Sequence, residues 1–221
     1  MSVLLLVEGP DDFHTIANLI KRSGAGTYRR FDENNKAPVD FVIKDMGGYP
    51  QLRKSLASEL LSTEFGSYGL VVDADADVGK RWLSVTDRLR ELQSRLAFTL
   101  QDVPKQPNPP GTILTTDTPL TIGIWLWPDN VVAGDMESFA GNLVPPGDLL
   151  WPHADEAIRT LPETRFIESH RTKAHIHTWL AWQDPPGQQL GEAVRSATLK
   201  SDAVLAQSFL AWLTKLKETT P

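Results

Sequence analysis

The chain has 221 residues and a formal net charge of −6, with 22 lysine and arginine residues against 28 aspartate and glutamate residues. An acidic chain is not expected to coat nucleic acid by bulk electrostatics, although a cluster of metal ligands would itself lower the net charge. Cysteine is absent, which excludes a disulfide framework, a thiolate metal site and a cysteine nucleophile.

Length and hydropathy predict a globular protein outside the membrane. The length suffices for a sizeable core in one large domain, and the hydrophobic fraction of 41% is ordinary for such a protein. Residues 2–7 form a short apolar run without a basic stretch before it, so they predict a first strand and not a signal peptide. No apolar run approaches the length of a membrane span. We therefore expect a cytoplasmic protein with no membrane partner.

Predicted strands and helices alternate in the first half of the chain. Apolar runs predict strands at residues 2–7, 39–43 and 68–73. Helical periodicity predicts helices from Pro10 to Ser23, over residues 51–62 and over residues 80–96, and residues 24–38 read as a loop. This alternation predicts a mostly parallel sheet, Rossmann-like and covered by helices on both faces.

The second half of the chain is predicted to be mainly helical. Residues 101–111 read as a surface connection, and strands at 112–114 and 121–127 are expected to pair as a hairpin. A helix start is predicted at residues 134–137, and further helices over 154–160, 172–183 and 203–217. We predict an α/β domain over residues 1–145 and a helical C-terminal extension over 146–221, packed on the same domain.

The stretch 70–77, Leu-Val-Val-Asp-Ala-Asp-Ala-Asp, is an apolar run followed by carboxylates at alternate positions. Along an extended chain Asp73, Asp75 and Asp77 would project to the same side. Like charges on one side are costly unless a cation offsets them, and hard oxygen ligands suit Mg²⁺, Mn²⁺ or Ca²⁺. The alternative is a solvated acidic turn.

Further acidic residues follow other predicted strands or stand close behind them. Sites in an open parallel sheet form at the carboxyl ends of the strands, so these acids are expected to converge on one rim. Such a rim needs a divalent metal to be stable at neutral pH. Its members are Glu8 with Asp12, then Asp73 with Asp75 and Asp77, and finally Asp129 with Asp135 and Glu137.

Several of these segments resemble the Toprim domain, which topoisomerases, primases, recombination proteins and OLD-family nucleases share. The Glu-Gly-x-x-Asp segment at residues 8–12 and the Asp-x-Asp at residues 73–75 match its signature of a glutamate after the first strand and two aspartates after the third. Residues 134–137 and Lys173 resemble the late motifs of the OLD-type domains. Residues 47–49 and 129–130 resemble small stand-alone Toprim-like proteins of prokaryotes.

The resemblance implies a metal centre and assigns residues to it. Mg²⁺ or Mn²⁺ is the implied cofactor, in a two-metal hydrolysis of a phosphodiester bond. Lys173 would stabilise the charge that develops on the phosphate, and Glu8 would also serve as general acid or base. The implied catalytic residues are Glu8, Asp73, Asp75 and Lys173. The implied metal ligands are Glu8, Asp12, Asp73, Asp75 and Glu137. Asp77 would be a ligand further out, and Asp11 suits the start of a helix equally well.

The predicted function is that of a metal-dependent nuclease acting on DNA or RNA. The resemblance also implies a phage-defence or mobile-element system and an ATPase partner protein. An acidic chain of this size is expected to need a basic partner or the groove of a homodimer to hold nucleic acid. Scattered basic residues would contact a phosphate backbone or simply face solvent: Arg29, Arg30, Lys36, Lys80, Arg81, Arg165, His170, Arg171 and Lys173. We interpret His170, His175 and His177 as surface or packing residues and not as zinc ligands.

Two other functions stay open at this point. A receiver-like signalling module would accept a phosphoryl group on Asp73, with Asp11, Asp12 and a late lysine around it. A non-catalytic Toprim-like interaction protein would bind one structural ion or none and dock a partner through tryptophan-rich surfaces. Cleavage of nucleic acid and phosphorylation of Asp73 by a small phosphodonor would separate these alternatives.

Overall fold

The computed structural model describes residues 2–34, 37–61 and 64–219. Within these residues a six-stranded sheet has the order β2-β3-β1-β4-β6-β5, and only β5 runs antiparallel to its neighbour. The predicted α/β class, a mostly parallel and Rossmann-like sheet flanked by helices, is confirmed. The strands are β1 (Val3–Val7), β2 (Tyr28–Arg30), β3 (Phe41–Asp45), β4 (Ser67–Asp73), β5 (Thr112–Thr115) and β6 (Thr121–Trp127).

Helices connect and cover these strands. Helix α1 ends at Ser23 as predicted, because Gly24 adopts a left-handed conformation with φ of 68°. The predicted end of the second helix, Ser62, lies outside the described residues. None of the helices in the described ranges is long and apolar enough to cross a membrane. They are α1 (Pro10–Ser23), α2 (Tyr49–Leu60), α3 (Val78–Leu96), α4 (Met136–Gly141), α5 (Leu150–Arg159), α6 (Arg171–Ala181), α7 (Leu190–Arg195) and α8 (Val204–Glu218), with a 3₁₀ turn at Glu168–His170.

Both faces of the sheet are buried under helices. In β1, Val3 and Leu5 belong to the cluster beneath α1 and α8, whereas Leu4 and Leu6 belong to the cluster beneath α2 and α3. This explains why the central strands read as continuous apolar runs and not as alternating ones. The C-terminal helices contribute to the first cluster, for example with Leu213. The predicted division at residue 145 stays a prediction.

Two short elements were missed by the sequence interpretation. Residues 28–30, predicted as loop, form the edge strand β2, whose sequence Tyr-Arg-Arg lacks an apolar run and which pairs only with β3 among the described strands. The six-residue helix α7 is too short for its periodicity to stand out. A close helix contact positions α7, because a Cβ at Gly191 would lie 2.5 Å from the Cβ of His14 on α1.

Two glycines on neighbouring strands make room for helix α8. Gly69 of β4 is the register partner of Gly123 of β6. A Cβ at Gly123 would lie 2.7 Å from Leu216 Cδ2 and 2.9 Å from Trp212 Cζ2. Real Cβ atoms essentially never make such contacts, so the absence of side chains here allows the helix to approach the sheet.

We expect Gly123→Val to destabilise the protein by about 1–3 kcal/mol, because the added methyl groups overpack a buried contact. Urea unfolding measures this change. The double variant with Leu216→Ala is the control. If the new side chain contacts Leu216, the double variant should be destabilised by less than the sum of the two single variants. Full additivity would contradict this account of the contact.

Candidate functional site

Three parallel strands bring their carboxyl ends together at one edge of the sheet. Strand β4 lies between β1 and β6, so Glu8, Asp73 and the segment after Trp127 are neighbours. A short bridge adds the start of α4 to this edge, because Asp75 and Gly134 exchange backbone hydrogen bonds of 2.8 and 2.7 Å. We call the carboxylates collected here the acidic edge: Glu8, Asp12, Asp73, Asp135 and Glu137.

The carboxylate of Glu8 links the end of β4 to the start of α2. Its Oε1 accepts a hydrogen bond from Asp73 N (2.9 Å), and its Oε2 accepts one from Tyr49 N (3.1 Å). The second bond depends on the turn at Gly47 and Gly48, whose φ values of 72° and 102° lie in the region that favours glycine. Burial raises the pKa of Glu8, and these hydrogen bonds, with the charge of Arg81, offset part of the rise.

Asp12 lies in the first turn of α1 and is 6% exposed. Its Oδ2 accepts a hydrogen bond from Gly9 N (3.0 Å), and its Oδ1 accepts one from Trp127 Nε1 (2.7 Å) at the end of β6. Burial raises the pKa of Asp12 to about 7, although both hydrogen bonds favour the ionised form. The carboxylate is therefore held in one orientation and lacks the hydration that would normally keep it charged.

Asp73, the last residue of β4, occupies the centre of the acidic edge. Its Oδ1 accepts a hydrogen bond from Met136 N (3.1 Å), and its Oδ2 accepts none from the residues that the structure describes. Burial raises the pKa of Asp73 to about 8, and four carboxylates add to the rise: Glu8, Asp12, Asp135 and Glu137. The predicted convergence of acids from separate segments is thus present around this residue.

Glu137 and Lys173 form an ion pair that links α4 to α6. Lys173 Nζ lies 2.7 Å from Glu137 Oε1, and the Glu137 side chain is only 7% exposed. The hydrogen bond to Glu137 raises the pKa of Lys173. Lys173 therefore brings a positive charge to the acidic edge, and this charge offsets one of its carboxylates.

The expectation that Asp73, Asp75 and Asp77 project to the same side was wrong. The strand ends at Asp73, and Asp75 turns away with φ of 53°. Asp75 is exposed and pairs with Arg81 on α3. Asp77 caps the same helix: its Oδ1 accepts a hydrogen bond from Lys80 N (3.0 Å), which lowers the pKa of Asp77. Metal ligation by Asp77 would compete with this cap.

Two further predicted acids also have local roles. Asp11 lies beside Asp12 in the first turn of α1, where a negative charge suits the helix dipole. Asp129 follows β6, and its Oδ1 accepts hydrogen bonds of 2.9 Å from Val131 N and Val132 N, which hold the loop in a turn. Asp129 therefore shapes the backbone near the acidic edge.

Arg81 is a site residue to which the sequence interpretation gave no specific role. Its guanidinium lies over the ring of Tyr49, 3.8 Å from the centroid, and pairs with Asp75. The Arg81 side chain is only 11% exposed, and its charge acts on Glu8. A basic residue near the start of a helix interacts unfavourably with the helix dipole. The position of Arg81 in the sequence could therefore have indicated that acidic side chains lie close to it.

Several of the scattered basic residues are individually ion-paired. Arg30 pairs with Asp32, Arg165 with Glu163, and Arg171 with Asp155. Lys36 lies outside the described residues. Each of these three arginines therefore has an acidic neighbour that offsets its charge.

The histidines near Lys173 match the prediction of packing or surface residues. His175 stacks on Trp151 with ring centroids 3.6 Å apart, and its Nε2 lies 2.9 Å from Trp151 O. His170 and His177 are exposed. In the described parts of the chain, no three histidine, aspartate or glutamate side chains are grouped so that they could hold one metal ion together.

The donor set still suits a magnesium ion that keeps most of its water. Mg²⁺ is commonly bound by one or two carboxylates, with waters and substrate phosphates completing an octahedron. Glu8 and Asp73 provide such a pair, since the backbone of one donates to the carboxylate of the other. Each hydrogen-bonded carboxylate oxygen retains a second lone pair for a ligand. A divalent cation would also offset the mutual repulsion of these acids.

A family model with the description "Protein of unknown function (DUF3226)" matches residues 2–218. Neither the curated proteins nor the solved structures gave a significant match to the chain.

Proposed function

The chain belongs to the DUF3226 family, and we propose that it is a metal-dependent nuclease of the Toprim type that hydrolyses phosphodiester bonds of DNA or RNA with Mg²⁺ or Mn²⁺. The proposal includes a cytoplasmic location. An ATPase partner and a role in phage defence or mobile elements are further expectations from the Toprim resemblance, and a homodimer is expected from the acidic charge of the chain.

The observation that carries this proposal is the burial of oriented carboxylates at neighbouring ends of parallel strands. Burial raises the pKa values of Asp12 and Asp73 to about 7 and about 8, so the acidic edge is poorly compensated near neutral pH. A purely structural role would be better served by neutral or paired side chains. A bound divalent cation, together with the positive charge of Lys173, would offset the negative charge of these buried carboxylates and so account for their burial.

The residues of the acidic edge then have distinct parts in hydrolysis. Divalent ions would lower the pKa of an attacking water and stabilise the leaving oxygen. Glu8 and Asp73 would hold the ions, and Asp12, fixed by Trp127, would orient their water ligands. Lys173 pairs with Glu137, and the charge of Arg81 acts on Glu8, so both would stabilise negative charge on the phosphate.

Cleavage of a mixed substrate panel tests the proposal. Supercoiled DNA, single-stranded DNA and structured RNA are incubated with Mg²⁺ or Mn²⁺, with and without a chelator. We expect cleavage of at least one substrate, a loss with chelator, and a loss in Asp73→Ala. Glu163→Gln is the matched control, because it removes a carboxylate that is 68% exposed and pairs with Arg165, and it should cleave like the parent protein.

Three outcomes would point elsewhere. Cleavage that survives the chelator or Asp73→Ala would mean that the acidic edge is not the active site. Metal binding that is lost in Asp73→Ala, without cleavage of any substrate, would favour the interaction protein. Phosphorylation of Asp73 by acetyl phosphate, without cleavage, would favour the receiver-like module.

A further inference from the structure

The positive charge of this acidic chain is concentrated on two neighbouring helices. Helices α2 and α3, which cover the same face of the sheet, carry more basic than acidic side chains. The basic ones are Arg53, Lys54, Lys80, Arg81, Arg88, Arg90 and Arg95, and the acidic ones are Glu59, Asp87 and Glu91. These seven basic and three acidic side chains give the two helices a net charge of +4, whereas the whole chain has −6, so the rest of the chain holds −10.

Both helices begin at the acidic edge. The backbone N of Tyr49, the first residue of α2, donates a hydrogen bond to Glu8 Oε2 (3.1 Å). Helix α3 begins at Val78, shortly after Asp73 at the end of β4. The two helices are in contact where they leave the edge, because Tyr49 Oη donates to Ser84 Oγ (2.7 Å). A surface that follows their contact line therefore starts at the proposed nuclease site.

Arginines follow this contact line, and we call Arg53, Arg81, Arg88 and Arg95 the basic seam. Arg81, Arg88 and Arg95 repeat every seven residues along α3, so they drift by only about 20° per step and lie on one side of the helix. Arg53 of α2 joins them, because its backbone O accepts a hydrogen bond from Arg88 Nε (3.0 Å). With a rise of about 1.5 Å per residue, the seam extends about 21 Å along α3 from the acidic edge.

Acidic residues offset the charge of the basic seam only in part. Glu91 is shared by two of the arginines, since its Oε1 lies 3.7 Å from Arg53 Nη2 and its Oε2 lies 3.0 Å from Arg88 Nη1. Arg95 is exposed and has no ion pair with a residue that the structure describes. The arginine at the acidic edge has a carboxylate partner of its own. Four guanidinium groups thus face two carboxylates, and a net positive charge remains along the seam.

We infer that the basic seam binds the phosphate backbone of the substrate strand and leads it to the acidic edge. The inference rests on the proposed nuclease function and specifies the surface on which its substrate lies. Guanidinium groups suit this role, because their planar N–H donors match the oxygens of a phosphate. A stacked strand rises about 3.4 Å per nucleotide, so the seam covers about six nucleotides. Phosphate contacts carry no sequence information, so the surface binds DNA or RNA of any sequence.

Fluorescence anisotropy of labelled oligonucleotides, in the presence of a chelator, tests the basic seam without requiring cleavage. Single-stranded DNA and RNA of increasing length are titrated at several salt concentrations. We expect affinity to rise steeply up to about six nucleotides and only in proportion to length beyond that. The logarithm of the binding constant should fall with the logarithm of the salt concentration with a slope of about −2, the value for about three phosphate contacts on a single strand. The nucleic acid that binds more tightly identifies the substrate.

A matched pair of double variants locates the binding. Arg53→Gln with Arg95→Gln removes two exposed charges from the basic seam. Lys21→Gln with Lys215→Gln removes two exposed charges from α1 and α8, which cover the opposite face of the sheet. Each lost phosphate contact should weaken binding by about tenfold at about 50 mM salt and reduce the salt slope by about 0.7. We therefore expect the seam variant to bind about 100-fold more weakly and the control variant to change by less than about threefold.

Absence of oligonucleotide binding at low salt, or equal losses in the two double variants, would overturn the inference even if the protein cleaves nucleic acid. Binding that depends on the basic seam, in a protein that cleaves nothing, would instead overturn the nuclease proposal and leave the nucleic-acid surface in place. Urea unfolding of both double variants confirms that a loss of binding is not a loss of fold.

Discussion

Asp73→Asn is expected to weaken metal-dependent cleavage strongly and, at the same time, to stabilise the metal-free protein at alkaline pH. Asparagine retains the Oδ1 acceptor for Met136 N and removes the negative charge from the centre of the acidic edge. Burial and four neighbouring carboxylates raise the pKa of Asp73 to about 8, so its charge is unfavourable in the folded protein. We expect cleavage to fall by about 10²–10³-fold, the scale on which loss of a charge-stabilising group acts.

The gain in stability should be about 1–2 kcal/mol at pH 9 and should vanish near pH 3, where Asp73 is protonated in both the folded and the unfolded protein. Urea unfolding with chelator at both pH values measures it. Asp129→Asn is the control, because that carboxylate caps a turn near the acidic edge and should show no such gain. A variant that loses cleavage and is also less stable at both pH values would indicate a general structural defect.

The metal-free protein should lose stability as the pH rises from about 4 to about 8, on the order of 3 kcal/mol in total. The direction follows from proton binding. Burial raises the pKa of Asp12 to about 7 and that of Asp73 to about 8, and it also raises the pKa of Glu8. In the unfolded chain these groups titrate near 4, so between the two limits the folded state holds more protons and higher pH favours unfolding.

Mg²⁺ or Mn²⁺ should offset most of this loss, because an ion binds the deprotonated carboxylates of the folded state only. A free metal concentration of one hundred times the dissociation constant would stabilise the protein by about 2.7 kcal/mol. Thermal unfolding at pH 5, 7 and 9, with metal or with chelator, measures both effects. Asp73→Asn serves as control and should show a flatter pH profile and little response to metal. Equal metal effects in the parent protein and the variant would place the ion elsewhere.

The elements of the fold that sequence patterns predicted are those with a strong local signal. Strands β1, β4 and β6 are continuous apolar runs because both sheet faces are covered, and α1 carries both an acidic start and a glycine stop. Edge strand β2 and the short helix α7 lack such signals. They form because β3 provides a pairing edge and because α1 provides a close contact for α7.

The proximity of the acidic residues in the candidate site was predictable from the sequence, but the orientation of their side chains was not. Carboxyl ends of parallel strands lie on one edge of a sheet, so acids that follow separate strands had to approach each other. The orientation of each acid was not predictable from an extended chain, as Asp75 and Asp77 show: one turns to Arg81, and the other caps α3. The sequence also gave no signal that Trp127 would hold Asp12 or that the Tyr49 backbone would hold Glu8.

The α/β class, the predominantly parallel sheet and the proximity of the acidic segments thus follow from the amino-acid sequence, because apolar runs, helix caps and strand ends are local features. The packing of the helices on the sheet sets which carboxylates are buried and which are paired with Lys173 or Arg81. The physical reason is that burial and charge compensation depend on residues far apart in the chain, and their contributions are settled only when the helices pack on the sheet.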